Sequence, residues 1–282
     1  NTSAVDGEGR TMLTWSFDQV EPTVIGQVFL PSPTGRRTQV VNVCVPGSST
    51  CSVQQVPGRV GKALKFGLEP GAIQSYAWLP GGDPVSMCAG RVFDFNPFGT
   101  FTANKHFDSR LTVAMWVKLD VVEPNEEYHL FGTQDPDQFG VDGSFHLRLF
   151  NGKAVFSLYP NAYSPMPDLV VTSPDALATG SWQHIAVTYF DTHTTMYING
   201  KVVAESDRFD PTLKEQRTTI NESCMPYFLG GITTTGFKQD GLVNAEAPKN
   251  GKSLTFPGAI DELVFSNRAL SADDIRKLAN PI

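Results

Sequence analysis

No apolar run in this 282-residue chain approaches the ~20 residues that cross a bilayer, so membrane insertion is not expected. Positive charge is scarce: 22 Lys and Arg stand against 29 Asp and Glu, a net charge of −7. Nucleic acids and anionic membrane surfaces recruit basic patches, so neither is an expected partner, and Arg36-Arg37 reads as a solvated loop. Repeats with a period of roughly 20 to 50 residues are not visible, which argues against solenoids and propellers. Helical periodicity is confined to the extreme C-terminus. No Pro/Ser/Gly-rich linker divides the chain, so the expectation is a single domain over 1–282 with insertions at about 22–52, 80–108 and 233–254.

Cys44, Cys51, Cys88 and Cys224 lack the close Cys or His spacing that zinc needs, and none sits in a nucleophile context. Four cysteines allow three pairings. Cys44 and Cys51 flank Val-Pro-Gly-Ser-Ser-Thr, a turn-rich hexapeptide that brings two strand ends to disulfide distance, which leaves Cys88 for Cys224. Asn1-Thr-Ser3 and Asn221-Glu-Ser223 are acceptor sequons, and an initial Asn reads as a processed or trimmed start. Together these predict an oxidising compartment: secreted or extracellular, with cell surface and periplasm both open.

What the chain does have is β patterning. Hydrophobic residues make up 40%, with 19 Phe and 25 Gly, a composition suited to a large two-sheet core with many turns. In the stretch from Ser181 to Phe190, Ile185, Val187 and Tyr189 alternate with Ala186 and Thr188. Asp191 to Thr195 supply a turn, and Met196 to Ile198 pair back. Asn199-Gly200 reads as a tight hairpin turn because both central positions want positive φ. Ala259 to Phe265 reads as a strand. One short helix follows it, with Ser271 as N-cap, Asp273 and Asp274 in its first turn, and Arg276 and Lys277 in its last. Upstream, Met12 to Asp18, Ala63 to Phe66 and Ala72 to Leu79 read as strands.

The order Trp182-x-His-Ile-Ala-Val-x-Tyr189, Tyr197-Ile-Asn-Gly-Lys201, then Gly258-x-Ile-Asp-Glu-Leu-Val-Phe-x-Asn-Arg-Ala-Leu-Ser271 resembles the laminin-G-like jelly rolls of the concanavalin A-like lectin superfamily. Gly58-Arg-Val-Gly-Lys-Ala-Leu-Lys-Phe66 and Leu111-Thr-Val-Ala-Met-Trp-Val-Lys118 resemble that family's G-x-x-G-x-A-L-x-F segment and core strand. The resemblance runs in order from Trp15 to Leu278. It implies an all-β, two-sheet antiparallel jelly-roll sandwich with long inserted loops and one short C-terminal helix. It also implies one structural calcium, held by Asp18, the carbonyl of Gly61 or Lys62, and Asp261 through side chain and carbonyl. The alternative is that Asp18 starts a turn and Asp261 caps one. Asp135, Asp137 and Asp142 are chemically similar to a calcium loop, yet lack the closing Glu of an EF-hand, and read first as a solvated loop.

For a sugar surface the hairpin from Ser144 to Tyr159 is the candidate. Alternation sets Phe145, Leu147 and Leu149 on one face and His146, Arg148 and Phe150 on the other, with Ser157 or Tyr159 across the hairpin. Planar donors beside an aromatic suit hydroxyl- or carboxylate-bearing sugars, so His146, Arg148 and Tyr159 are the expected ligand contacts, against a plain solvated sheet face. Catalysis has less to stand on. Hydrolases that resemble this fold mount carboxylates as E-x-D-x-x-E on one strand; Glu205-Ser-Asp207 comes closest but lacks the final Glu and reads as turn. His184 and Trp182 read as structural. The expectation is a lectin-like binding or adhesion module for a glycan or extracellular protein. A carbohydrate-active enzyme, its accessory domain, or a structural module of an extracellular assembly is the alternative.

Overall fold

The computed structural model describes residues 4–5, 11–18, 21–22, 28–31, 37–43, 53–67, 74–79, 110–132, 145–158, 169–190, 192–207, 227–231, 255–266 and 268–281. Two antiparallel sheets and one helix account for most of them, as the jelly-roll reading expects. Across the first sheet the order is β1 (Ala4–Val5), β2 (Thr11–Trp15), β18 (Gly258–Ser266), β9 (Arg110–Leu119), β14 (Trp182–Phe190), β15 (His193–Ile198) and β16 (Lys201–Asp207). Here β7 (Lys62–Lys65) also pairs with β18, and β6 (Gln54–Pro57) with β7. The second sheet runs β13 (Leu169–Ala176), β12 (Lys153–Leu158), β11 (Phe145–Phe150), β10 (Glu127–Gly132), β17 (Tyr227–Leu229), β8 (Gln74–Leu79), β5 (Arg37–Val43), β4 (Val28–Pro31) and β3 (Glu21–Pro22).

Alternation fills the space between the sheets. Leu111, Val113, Met115, Val117 and Leu119 of β9 and Ile185, Val187 and Tyr189 of β14 are buried in one core with Phe145, Leu147 and Leu149 of β11. Four phenylalanines bridge the layers: Phe265 lies 5.2 Å from Phe131 and 5.7 Å from Phe145, and Phe145 lies 6.0 Å from Phe156. These separations fall in the range favoured by aromatic pairs, which gain ~1 kcal/mol beyond area burial.

The helix α1 (Ala272–Leu278) lies on the outer face of the first sheet. Its Ile275 packs on Ala114, Ala186, Tyr197 and Val264. Ala114 and Ala186 are cross-strand partners, so two small side chains make room for it. Ser271 caps it as the sequence predicts, in a full capping box with Asp274.

Three details differ from the sequence reading. The β14–β15 turn is shorter than Asp191 to Thr195, because β15 starts at His193. Residues 201–207, read there as turn at Glu205 and Asp207, form β16, the edge strand of the first sheet. Within 22–52, β4 and β5 extend the second sheet. Cys44, Cys51, Cys88, Cys224, Asp135, Asp137, Asp142 and Tyr159, with the stretches 80–108 and 233–254, lie outside the described residues.

Candidate functional site

Among the described residues, polar side chains gather against the outside of each sheet, with a third, exposed group on the edge strand β16. On the outer face of the second sheet, strand register lays them out in three rows. Glu127 of β10 pairs with Phe150 of β11, and Phe150 with Lys153 of β12. The next row is His129, Arg148, Val155 and Thr172, and the third is His146, Ser157 and Val170. A register irregularity between His129 and Phe131 lets His129 share the outer face with Arg148 while Phe131 sits opposite Leu147 in the core.

Within these rows His146 Nε2 lies 2.7 Å from His129 Nδ1, the rings stacked at 4.7 Å between centroids. Arg148 Nη1 lies 3.3 Å from His146 Nδ1. An arginine can only donate, so His146 Nδ1 accepts; a neutral His146 then carries its proton on Nε2 and donates it to His129. Burial, then the His129 and Arg148 charges, hold the His146 pKa well below its ordinary value, which keeps the ring neutral. Glu127 faces this chain, with Oε2 3.6 Å from Arg148 Nε and Oε1 4.0 Å from His146 Nδ1. The first separation is an ion pair but too long for a hydrogen bond, and among the described residues neither the buried Arg148 Nε nor the buried hydroxyl of Ser157 has a hydrogen-bond partner.

The face grades from closed to open. His129, His146 and Ser157 are fully buried, Arg148 and Glu127 are partly exposed, and Phe150 is 42% exposed. Of the sequence-predicted contacts, Arg148 therefore stands at the opening and His146 acts from behind it. Glu127, His129 and Phe150 complete the group. Strict alternation puts His129 on the same face as Phe131, and the irregularity between them is what separates the two.

The second place is the corner where β2, β7 and β18 meet. Asp261 Oδ2 accepts the backbone N–H of Arg59 (2.8 Å) and Val60 (3.0 Å), and Oδ1 accepts that of Glu262 (2.8 Å). Asp18 Oδ1 accepts the Lys62 N–H at 2.8 Å. The two carboxylates thus hold the 58–62 loop from opposite ends of the sequence. Gly61 has φ +59°, and a Cβ there would run into the Asp18 carboxylate; at Gly58 a Cβ would come within 2.5 Å of Asp261 Oδ2. Arg59 lays its guanidinium 4.8 Å over the Trp116 ring, which packs edge-on against His184. His184 is buried and its pKa falls to about 4 for that reason, consistent with a structural role.

Acid crowds this corner. Burial raises the Asp261 pKa to about 6, against the pull of its three N–H donors, and Asp18 adds to the rise. Glu262, at φ +48°, is raised to about 7 by burial, then by Asp261 and Asp18. Among the described residues the donor set is one of hard oxygens with capacity left: Asp18 Oδ2, a second lone pair on Asp261 Oδ1, and one on the Gly61 carbonyl, which accepts from Gly58. Among the described residues no three His, Cys, Asp or Glu side chains converge as a cage, so a cation here would draw on backbone oxygens and water.

Glu205 and Asp207 share the same side of β16 and flank His193: Asp207 Oδ1 lies 2.7 Å from Nδ1, and Glu205 Oε1 3.4 Å from Nε2. The hydrogen bond to Asp207 raises the His193 pKa. The carboxylates meet opposite edges of one exposed ring rather than facing each other across a cleft.

Residues 97–223 match a family model described as the concanavalin A-like lectin/glucanases superfamily, which bears out the resemblance carried by the motifs. No curated protein sequence matches the chain. Among solved structures, domain 4 of AbnA, a GH43 extracellular arabinanase from Geobacillus stearothermophilus in complex with arabinotriose, is similar with a TM-score of 0.50 and 19% identity, over 95% of this chain and 97% of that one. A Trypanosoma rangeli sialidase in complex with 2,3-difluorosialic acid gives a TM-score of 0.54 at 15% identity, over 98% of this chain and 33% of that one. The binding domain of botulinum neurotoxin serotype C1 gives 0.54 at 12% identity, over 97% and 52%. The chain thus spans about a third of the sialidase and half of the toxin domain. At these identities the likeness is one of fold.

Proposed function

We propose that the chain is a secreted glycan-binding module of lectin type, reading its ligand on the outer face of the second sheet. One observation carries this: an exposed aromatic, Phe150, stands in cross-strand register with the partly exposed Glu127 and two residues along β11 from the partly exposed Arg148, an apolar platform beside planar polar groups. A sugar ring offers a C–H face to the first and hydroxyls to the second. No helix among the described residues is long and apolar enough to cross a membrane. The likeness to a domain of an extracellular arabinanase, over nearly the whole of both chains, favours a module that serves a larger carbohydrate-active protein.

A structural calcium at the Asp18–Asp261 corner belongs to the same proposal. Asp18, Asp261 and the Gly61 or Lys62 carbonyl would hold it, and the ion's charge would offset the burial, and the smaller push of acidic neighbours, that lift the Asp261 and Glu262 pKa values. A ligand bound only by the folded chain stabilises it by about 2.7 kcal/mol at a hundredfold excess over its dissociation constant. The test is a glycan array probed with calcium and again with chelator, alongside melting curves. Glycan binding is expected, with a melting temperature that drops on chelation in the wild type and not in Asp261→Ala. An array without hits overturns the lectin reading; a melting curve indifferent to chelator removes the calcium.

A further inference from the structure

Resting on the glycan-binding reading of this face, we infer that Glu127 is the principal polar contact for the ligand and that the site takes neutral sugars and rejects acidic ones. The argument turns on which charge of the Arg148–Glu127 pair the ligand meets. The Glu127 side chain is 31% exposed and that of Arg148 20%, so the carboxylate is the outer member. The guanidinium is held from within by His146, and His146 by His129, both fully buried. His146 accepts from Arg148 and donates to His129, which holds Arg148 beneath the Glu127 carboxylate.

An ionised carboxylate accepts hydrogen bonds and donates none. Sugar hydroxyls donate to it; the carboxylate of a uronic or sialic acid has nothing to donate and adds like-charge repulsion, which is how an interface discriminates by penalty rather than by gain. Phe150, directly across from Glu127, places the C–H face of the same ring within reach. Lys153 closes the row on the far side of Phe150 and is exposed. Its ammonium is a strongly hydrated point charge on a flexible stem, so it attracts an acidic sugar weakly. The chain's net charge of −7 works against anionic ligands as well.

The experiment titrates the full chain with arabinotriose, cellotriose and galactotriose, then with trigalacturonate and sialyllactose, followed by calorimetry. At least one neutral sugar should bind at least about tenfold more tightly than both acidic ones. Glu127→Gln, nearly isosteric and partly exposed, should weaken the neutral ligand about tenfold, the scale of one lost charge-assisted hydrogen bond, and should narrow the gap to the acidic sugars. Phe150→Ala should weaken both classes alike, since the ring carries no charge preference. Tighter binding of an acidic sugar, or a Glu127→Gln affinity within twofold of wild type, overturns this inference and leaves the lectin reading standing. Failure of every sugar to bind overturns both.

Discussion

Asp18, Asp261 and Glu262 bring three carboxyl groups to one corner, and their cost to the fold has a sign that can be worked out. Glu262 has a folded-state pKa of about 7 against an ordinary 4.5, so the folded chain holds a proton that the unfolded chain has lost. Its contribution is fully present below the unfolded value and is lost as pH rises through 7. In chelator, wild-type stability should therefore fall between pH 5 and pH 8 by on the order of 1 kcal/mol relative to Glu262→Gln, the partly exposed carboxylate being screened by water. Urea midpoints of both proteins at the two pH values read this directly. Buried His184 pulls the other way, losing stability as pH falls from 6.5 toward its folded value of about 4, but equally in both proteins. Equal slopes would show that Glu262 is not held near neutrality. The sequence names Asp18 and Asp261, but as calcium ligands implied by the resemblance; that they accept the backbone N–H groups of residues 59, 60 and 62 is seen only in the fold. It does not single out Glu262: alternation assigns it the opposite face, and only its positive φ and the register irregularity before Val264 bring it to the corner.

At the level of elements, local chemistry decides what can be read. α1 announces itself through Ser271, Asp274 and the basic last turn, each a property of its own few residues. Ser271→Ala removes the acceptor for the Asp274 N–H and half of the capping box, and should lower stability by about 1 kcal/mol, measured by thermal melting. No change would mean that packing of Ile275 alone seats the helix. The β14–β15–β16 meander is equally legible at its two inner strands, where apolar residues alternate. β16 is not, because Glu205 and Asp207 are poor strand formers and the strand is an edge, where charge protects against unwanted pairing. β4 and β5 escape notice for another reason: Pro31, Pro33 and Gly35 interrupt the apolar pattern of what is a local hairpin, and β5 is tied to the sheet through β8, beyond residues 44–73.

For the molecule as a whole, the phenylalanine bridge between sheets is the joint to test. Phe265 belongs to one sheet and touches Phe131 and Phe145 of the other, so Phe265→Ala should cost about 3–5 kcal/mol in a urea titration. A loss under about 1 kcal/mol would mean that the sheets are joined elsewhere. β18 carries that residue, and it pairs with β2, β7 and β9 at once. A ribosome making this chain from its N-terminus releases β2, β7 and β9 long before Gly258, and until then each lacks the strand that joins them. Until β18 is made, β2, β7 and β9 each keep an edge open, and such edges are the surfaces on which nascent chains pair with the wrong neighbour. Assembly of the first sheet is therefore a late event, and a message truncated before residue 258 would yield not a smaller sandwich but a chain prone to aggregate.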